Sequence, residues 1–200
     1  MRAVLLALVL AVPAPAQGQA RCSYDACPRE TVQAASERAS VEAVILEEAD
    51  AVQAAVGTDL PLRVEPKTWV ATANAYRRDG ILWIGYNPLW IGSYVNRAQP
   101  DLWPVRAVVA HEVGHHALGH TAARSADRRG VELAADAFAG FALHALGATR
   151  REAQILWRVF PMGETPTHPG RAARLEAVAR GWDAGAGGGT LAALFPDRPG

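Results

Sequence analysis

The chain has 200 residues, half of them apolar, and its 20 basic and 20 acidic side chains cancel to no net charge. That length suits one domain, and that apolar content is too high for a disordered chain. Zero net charge gives no electrostatic footprint for nucleic acid or for an anionic membrane surface.

The N-terminus opens with Arg2, an apolar run from Ala3 to Val12, and then the small-residue sites Ala14-Pro15-Ala16 and Gly18-Gln19-Ala20. This is the anatomy of a secretory signal peptide over residues 1–20. A bilayer span needs about twenty apolar residues, more than this run supplies. The expected destination is the periplasm or the exterior. Cys22 and Cys27 follow directly, and an oxidising compartment would favour a local disulfide between them over two free thiols.

One domain is expected over 21–183. Pro28 to Val56 reads as a long helix with Val41, Val44, Ile45, Val52 and Val56 at helical spacing and Gly57 as its stop. Leu62 to Glu65 alternates between two prolines and reads as a short strand. Thr68 to Ala73 is a second strand candidate, and Ile81 to Tyr86 a third, entered through the hairpin dipeptide Asp79-Gly80. A helix is expected from about Leu102 to Leu118, capped by Asp101 and stopped at Gly119. Another spans about Asp127 to Leu146. Thr149 and Glu152 form a capping box for a third, which halts before Pro161. Pro169 suits the first turn of a last helix, running to Arg180 and closed by Gly181. The glycine-rich tail from Ala184 is expected to be mobile. The fold class is α+β, mainly helical, with a small sheet beside the central helix.

The chemistry concentrates in His111-Glu112-Val113-Gly114-His115. Residues four apart on a helix differ by about 40° around its axis, so both imidazoles leave one face, as two ligands of a tetrahedral zinc must. Glu112 lies about 100° from His111, within reach of a water but outside the ligand pair. Glu132 and Asp136 are also four apart, on an otherwise apolar stretch. Two carboxylates there are costly unless paired or bound to metal. The simplest account makes Glu132 the third ligand of one Zn2+ and Asp136 the residue that orients a ligand histidine.

These motifs resemble those of the gluzincin metallopeptidases of the HtpX and CAAX prenyl-protease type. The likeness rests on His111 to His115, on Glu132-Leu133-Ala134-Ala135-Asp136, on Thr167-His168-Pro169 followed by Arg174-Leu175, and on Asn74-Ala75-Tyr76. It covers roughly Val64 to Trp182. It implies a zincin-like fold, an endopeptidase with Glu112 as general base, Arg174 in support of the site, and Asn74 to Tyr76 on the strand that aligns a polypeptide substrate. Many members of that family are membrane proteins, whereas this chain looks like a minimal exported version. Only sixteen residues separate His115 from Glu132, so a substrate-shaping insertion is expected to be missing.

His168 precedes a helix start and is a candidate for the cleft, either as a donor to the developing oxyanion or as a ligand that holds the enzyme latent; the alternative is a helix cap. His116 and His120, also four apart, point away from the first pair. They read as a polar, partly exposed helix edge, with a second metal site as the alternative. His144 reads as a core histidine, and the six tryptophans as core and rim. A non-enzymatic, zinc-stabilised binding module is the rival to the peptidase. A structural site has four protein ligands and needs no base, so Glu112 favours the enzyme.

Overall fold

Helix α1 (Val32–Val56) ends where Gly57 takes a φ of 69°, a conformation that glycine adopts without a Cβ penalty. The computed structural model describes residues 32–98, 101–122, 125–159, 163–166 and 168–197, so the expected signal segment and the Cys22–Cys27 pair lie outside the described residues. Val41, Ile45, Ala49 and Val52 form the buried stripe of α1 and pack on the central helix.

The sheet has strands β1 (Leu62–Pro66), β2 (Ala73–Arg78) and β3 (Ile81–Tyr86) in the order β1-β3-β2. β1 runs parallel to β3, and β2 runs antiparallel to β3. The second strand therefore lies at Ala73–Arg78 and not at Thr68 to Ala73. The turn decides this. Asp79 and Gly80 both take positive φ, 53° and 78°, the signature of a two-residue hairpin turn. Such a turn locks Arg78 opposite Ile81 and carries the ladder back to Ala73 opposite Tyr86. The residues before Ala73 are held as a loop by Asn87, whose Nδ2 donates to Val70 O at 2.8 Å and whose N–H donates to Thr72 O at 2.7 Å.

Asn87 also caps helix α2 (Pro88–Val95), which the sequence reading leaves unassigned; its side chain accepts from Leu89 N and Trp90 N, and Pro88 opens the helix. Helix α3 (Trp103–Ala117) is the axis of the fold, with buried residues on nearly every face. Asp101 accepts from Trp103 N at its start. Helix α4 (Arg128–Ala145) is capped by Asp127 and lies across α3. Gly114 lets the two approach: a Cβ there would stand 2.9 Å from Phe138 Cδ1.

The Thr149–Glu152 capping box is formed, but the helix it opens is split into α5 (Arg150–Ala153) and α6 (Ile155–Val159) at Gln154. Helix α7 (Arg171–Ala186) starts at an extended Gly170 cap, later than expected, because Thr165 and His168 close a turn of their own. It passes through Gly181 without stopping. Gly181 and Gly140 are crossing points where α7 and α4 touch backbone to backbone: an added Cβ would overlap Ala137 O or Val178 O. Beyond it, helix α8 (Leu191–Leu194), capped by Thr190, buries Leu191 in the core, so the tail is structured past the expected Ala184 boundary. Among the described residues no helix is long and apolar enough to cross a membrane.

Candidate metal centre

His111 and His115 leave α3 one turn apart, and their Nε2 atoms face each other at 3.1 Å. Glu132, from the first half of α4, reaches in with Oε2 at 3.5 Å from His111 Nε2 and Oε1 at 3.6 Å from His115 Nε2. Ligands about 2.1 Å from a tetrahedral zinc are separated by about 3.4 Å, so these three spacings bracket the value one ion would impose. Together they form a group of donor atoms lying within 4.8 Å of one another.

The other ring nitrogen of each histidine faces a polar neighbour. His111 Nδ1 lies 2.9 Å from Asp136 Oδ1, within hydrogen-bonding distance although the N–H direction is not linear with it. Asp136 is fully buried and accepts from Trp157 Nε1 at 2.9 Å and from Arg174 Nε and Nη2, both at 2.7 Å. His115 Nδ1 lies 3.1 Å from His120 Nδ1. Outer partners of this kind fix the tautomer and the ring plane of a metal ligand.

Burial and the neighbouring charges act differently on the three side chains. Burial disfavours a charged His111, yet Asp136 and Glu132 outweigh it and hold its pKa well above the usual histidine range. Burial, reinforced by His111, pushes His115 far down. Glu132, despite burial, is held low by His111. A metal ion among these atoms would compete with a proton for the two facing nitrogens. Burial raises Glu112 to about 6. Its Oε2 accepts the Ala75 N–H from β2 at 2.6 Å, which keeps the carboxylate beside the triad and outside the donor group.

Two clefts meet at this point, one of about 630 Å³ and one of about 370 Å³. They share Ala73, His111, Glu112, Glu132 and His168. The larger runs along β2 toward Arg77 and Arg128; the smaller is bounded by Val108, Leu156 and Pro169. Comparison with protein-family models, with curated proteins and with solved structures finds no match.

The structure brings His111, Glu112, His115, Glu132, Asp136 and Arg174 together. His168 stands on the rim with its side chain 52% exposed, Nε2 3.9 Å from Glu132 Oε2, in a turn rather than at a helix cap. In Asn74-Ala75-Tyr76, the backbone of Ala75 is what meets Glu112. The Tyr76 ring stacks on Trp83 and its hydroxyl donates to Glu65, while Asn74 Oδ1 lies over Gly85.

The expectation for His116 and His120 is corrected. His116 is buried between Trp83 O and Thr121 Oγ1, both at 3.0 Å. His120 is not on the helix. Gly119, at a φ of 75°, closes a Schellman turn in which His120 N donates to His115 O at 2.9 Å, and the ring folds back onto His115. His144 is half-buried, edge-on to Trp182 at 5.0 Å. Two site residues, His120 and Trp157, are missed by sequence reasoning. Gly119 was the signal for the first, and nothing in the spacing of the tryptophans singles out the second.

Proposed function

We propose that this chain is a zinc-dependent endopeptidase of zincin-like fold, a small gluzincin of the HtpX and CAAX prenyl-protease type, acting on polypeptides in an exported compartment. The observation that carries this reading is the convergence of His111, His115 and Glu132 on one point where two clefts meet, with Glu112 beside them and outside the donor set. A site with three protein ligands facing a cleft has room for water and substrate, whereas a structural site is closed by a fourth ligand.

When bound, zinc supplies Lewis acidity toward a peptide carbonyl and brings the pKa of a water to about 7. Glu112 would accept a proton from the attacking water and return it to the leaving amine. Its burial, which raises its pKa, makes it a stronger base than a solvated glutamate. Ala75 N–H holds the carboxylate in place. Asp136 and His120 fix the two ligand rings, and Arg174 anchors Asp136. β2 is a sheet edge, so an extended substrate would lie along it and be held mainly through its backbone.

The test is a pair of variants. His111→Ala and Glu132→Ala should lose the bound zinc, about one ion per chain in the wild type. Glu112→Gln should keep the zinc and the fold and lose about 10²- to 10⁴-fold in hydrolysis of an unfolded protein. Full zinc retention by either ligand variant overturns the metal assignment, and equal cleavage by Glu112→Gln and wild type overturns the catalytic one. His168→Ala separates the two roles open to His168: loss of an oxyanion donor lowers the rate about 10²- to 10³-fold, and release of a latent enzyme raises it.

A further inference from the structure

The larger cleft carries two arginines that the mechanism does not use. Arg77 is two residues beyond Ala75 on the same face of β2, and Arg128 is one turn before Glu132 on the same face of α4. Both line the larger cleft and neither lines the smaller. Both are exposed, and among the described residues neither has a carboxylate partner. The acidic residues on the same walls are Glu112 and Glu132, whose charge a divalent ion at the triad offsets. The smaller cleft has Arg174 on its wall, but Asp136 takes that guanidinium, so arginines without a carboxylate partner line the larger cleft alone among the described residues.

We infer that Arg77 and Arg128 select substrates with an acidic side chain two or three residues N-terminal to the scissile bond. This rests on the peptidase reading above. Two residues of strand advance about 7 Å and four residues of helix about 6 Å, so both arginines are displaced from the triad by roughly two residues of an extended peptide. Ala75 turns its N–H away from β3 to Glu112, so its carbonyl also faces outward, open to an added strand. The direction taken here is antiparallel, the commoner pairing of neighbouring strands. A substrate laid antiparallel to β2 has its N-terminal side at the Arg77 end and its C-terminal side at Ala73, beside the smaller cleft with Val108 and Leu156.

The experiment uses zinc-loaded Glu112→Gln and four fluorescent peptides of one apolar-centred sequence, with two Glu or two Lys in either the N-terminal or the C-terminal half. Anisotropy should show the N-terminal Glu peptide binding about tenfold tighter than the N-terminal Lys peptide, a preference that shrinks as salt is raised. Adding Arg77→Glu and Arg128→Glu should invert that order, with zinc content unchanged. Charges in the C-terminal half should matter little. Equal binding of the N-terminal pair, or a preference carried by the C-terminal half, overturns the inference. The same peptides are then given to the wild-type chain. Acid-selective binding without cleavage would defeat the peptidase reading and leave the acidic preference standing; cleavage without selectivity would do the reverse.

Discussion

Asp136→Asn removes one negative charge with almost no change of shape, at a position with no solvent exposure. Asp136 receives three hydrogen bonds, two of them from the Arg174 guanidinium and one from Trp157. An asparagine has one acceptor oxygen in place of two, and its amide must turn N–H groups toward other donors. Arg174 then loses the buried carboxylate that takes two of its N–H groups, while Glu132 Oε2 stays at 3.6 Å. Breaking one side of a buried ion pair costs about 3–5 kcal/mol, against a total of about 5–15 kcal/mol for an ordinary domain. Urea unfolding of the metal-free protein, followed by tryptophan fluorescence, should show a loss of that size. Adding Arg174→Leu should recover much of it, since the unpaired charge is then gone. A loss under about 0.5 kcal/mol for Asp136→Asn would refute the assignment of Asp136 as the buried hub of the site, because that is the range of an ordinary surface substitution.

His120→Ala should weaken zinc affinity about 10- to 100-fold in chelator competition while His120→Asn keeps most of it, because the His115 ring needs a partner at Nδ1. Gly181→Ala should lower stability by about 1–3 kcal/mol in the same urea assay, since the new methyl meets the α4 backbone at Ala137, which has no flexible end to move aside. Glu65 is held at about 2, from an ordinary 4.5, first by the Tyr76 hydroxyl and then by Arg78. A lowered folded-state pKa stabilises the fold above about 4.5 and loses that contribution as pH falls toward 2. Glu65→Gln should therefore flatten the acid limb of the thermal stability profile in that window.

What was legible in the sequence depended on local period. The four-residue spacing of His111 and His115, and of Glu132 and Asp136, needs only helical geometry to become two facing pairs. The Thr149–Glu152 capping box and the stop at Gly57 likewise act within one turn of chain. The failures share another cause. Helical spacing carried through Gly119 puts His120 beside His116, whereas that glycine reverses the chain and brings the ring back onto His115. The strand placed at Thr68 to Ala73 was judged by its own composition, while the real one is set by the turn that follows it. Trp157 bonds Asp136 across a sequence separation of 21, and such a contact leaves no periodic trace.

The Asp79-Gly80 turn sits on the surface, far along the chain from the triad, and looks like a place where length could vary. It is not. Side chains on a strand alternate with a period of two, so one inserted residue would slip the β2 register by one and exchange its two faces. Tyr76 would leave its stack on Trp83, and the N–H presented to Glu112 would come from the wrong residue. The position of the Glu112 carboxylate is thus set by the length of a two-residue loop. Along lineages descended from this chain, gaps in the 79–80 turn should be as rare as replacements of His111.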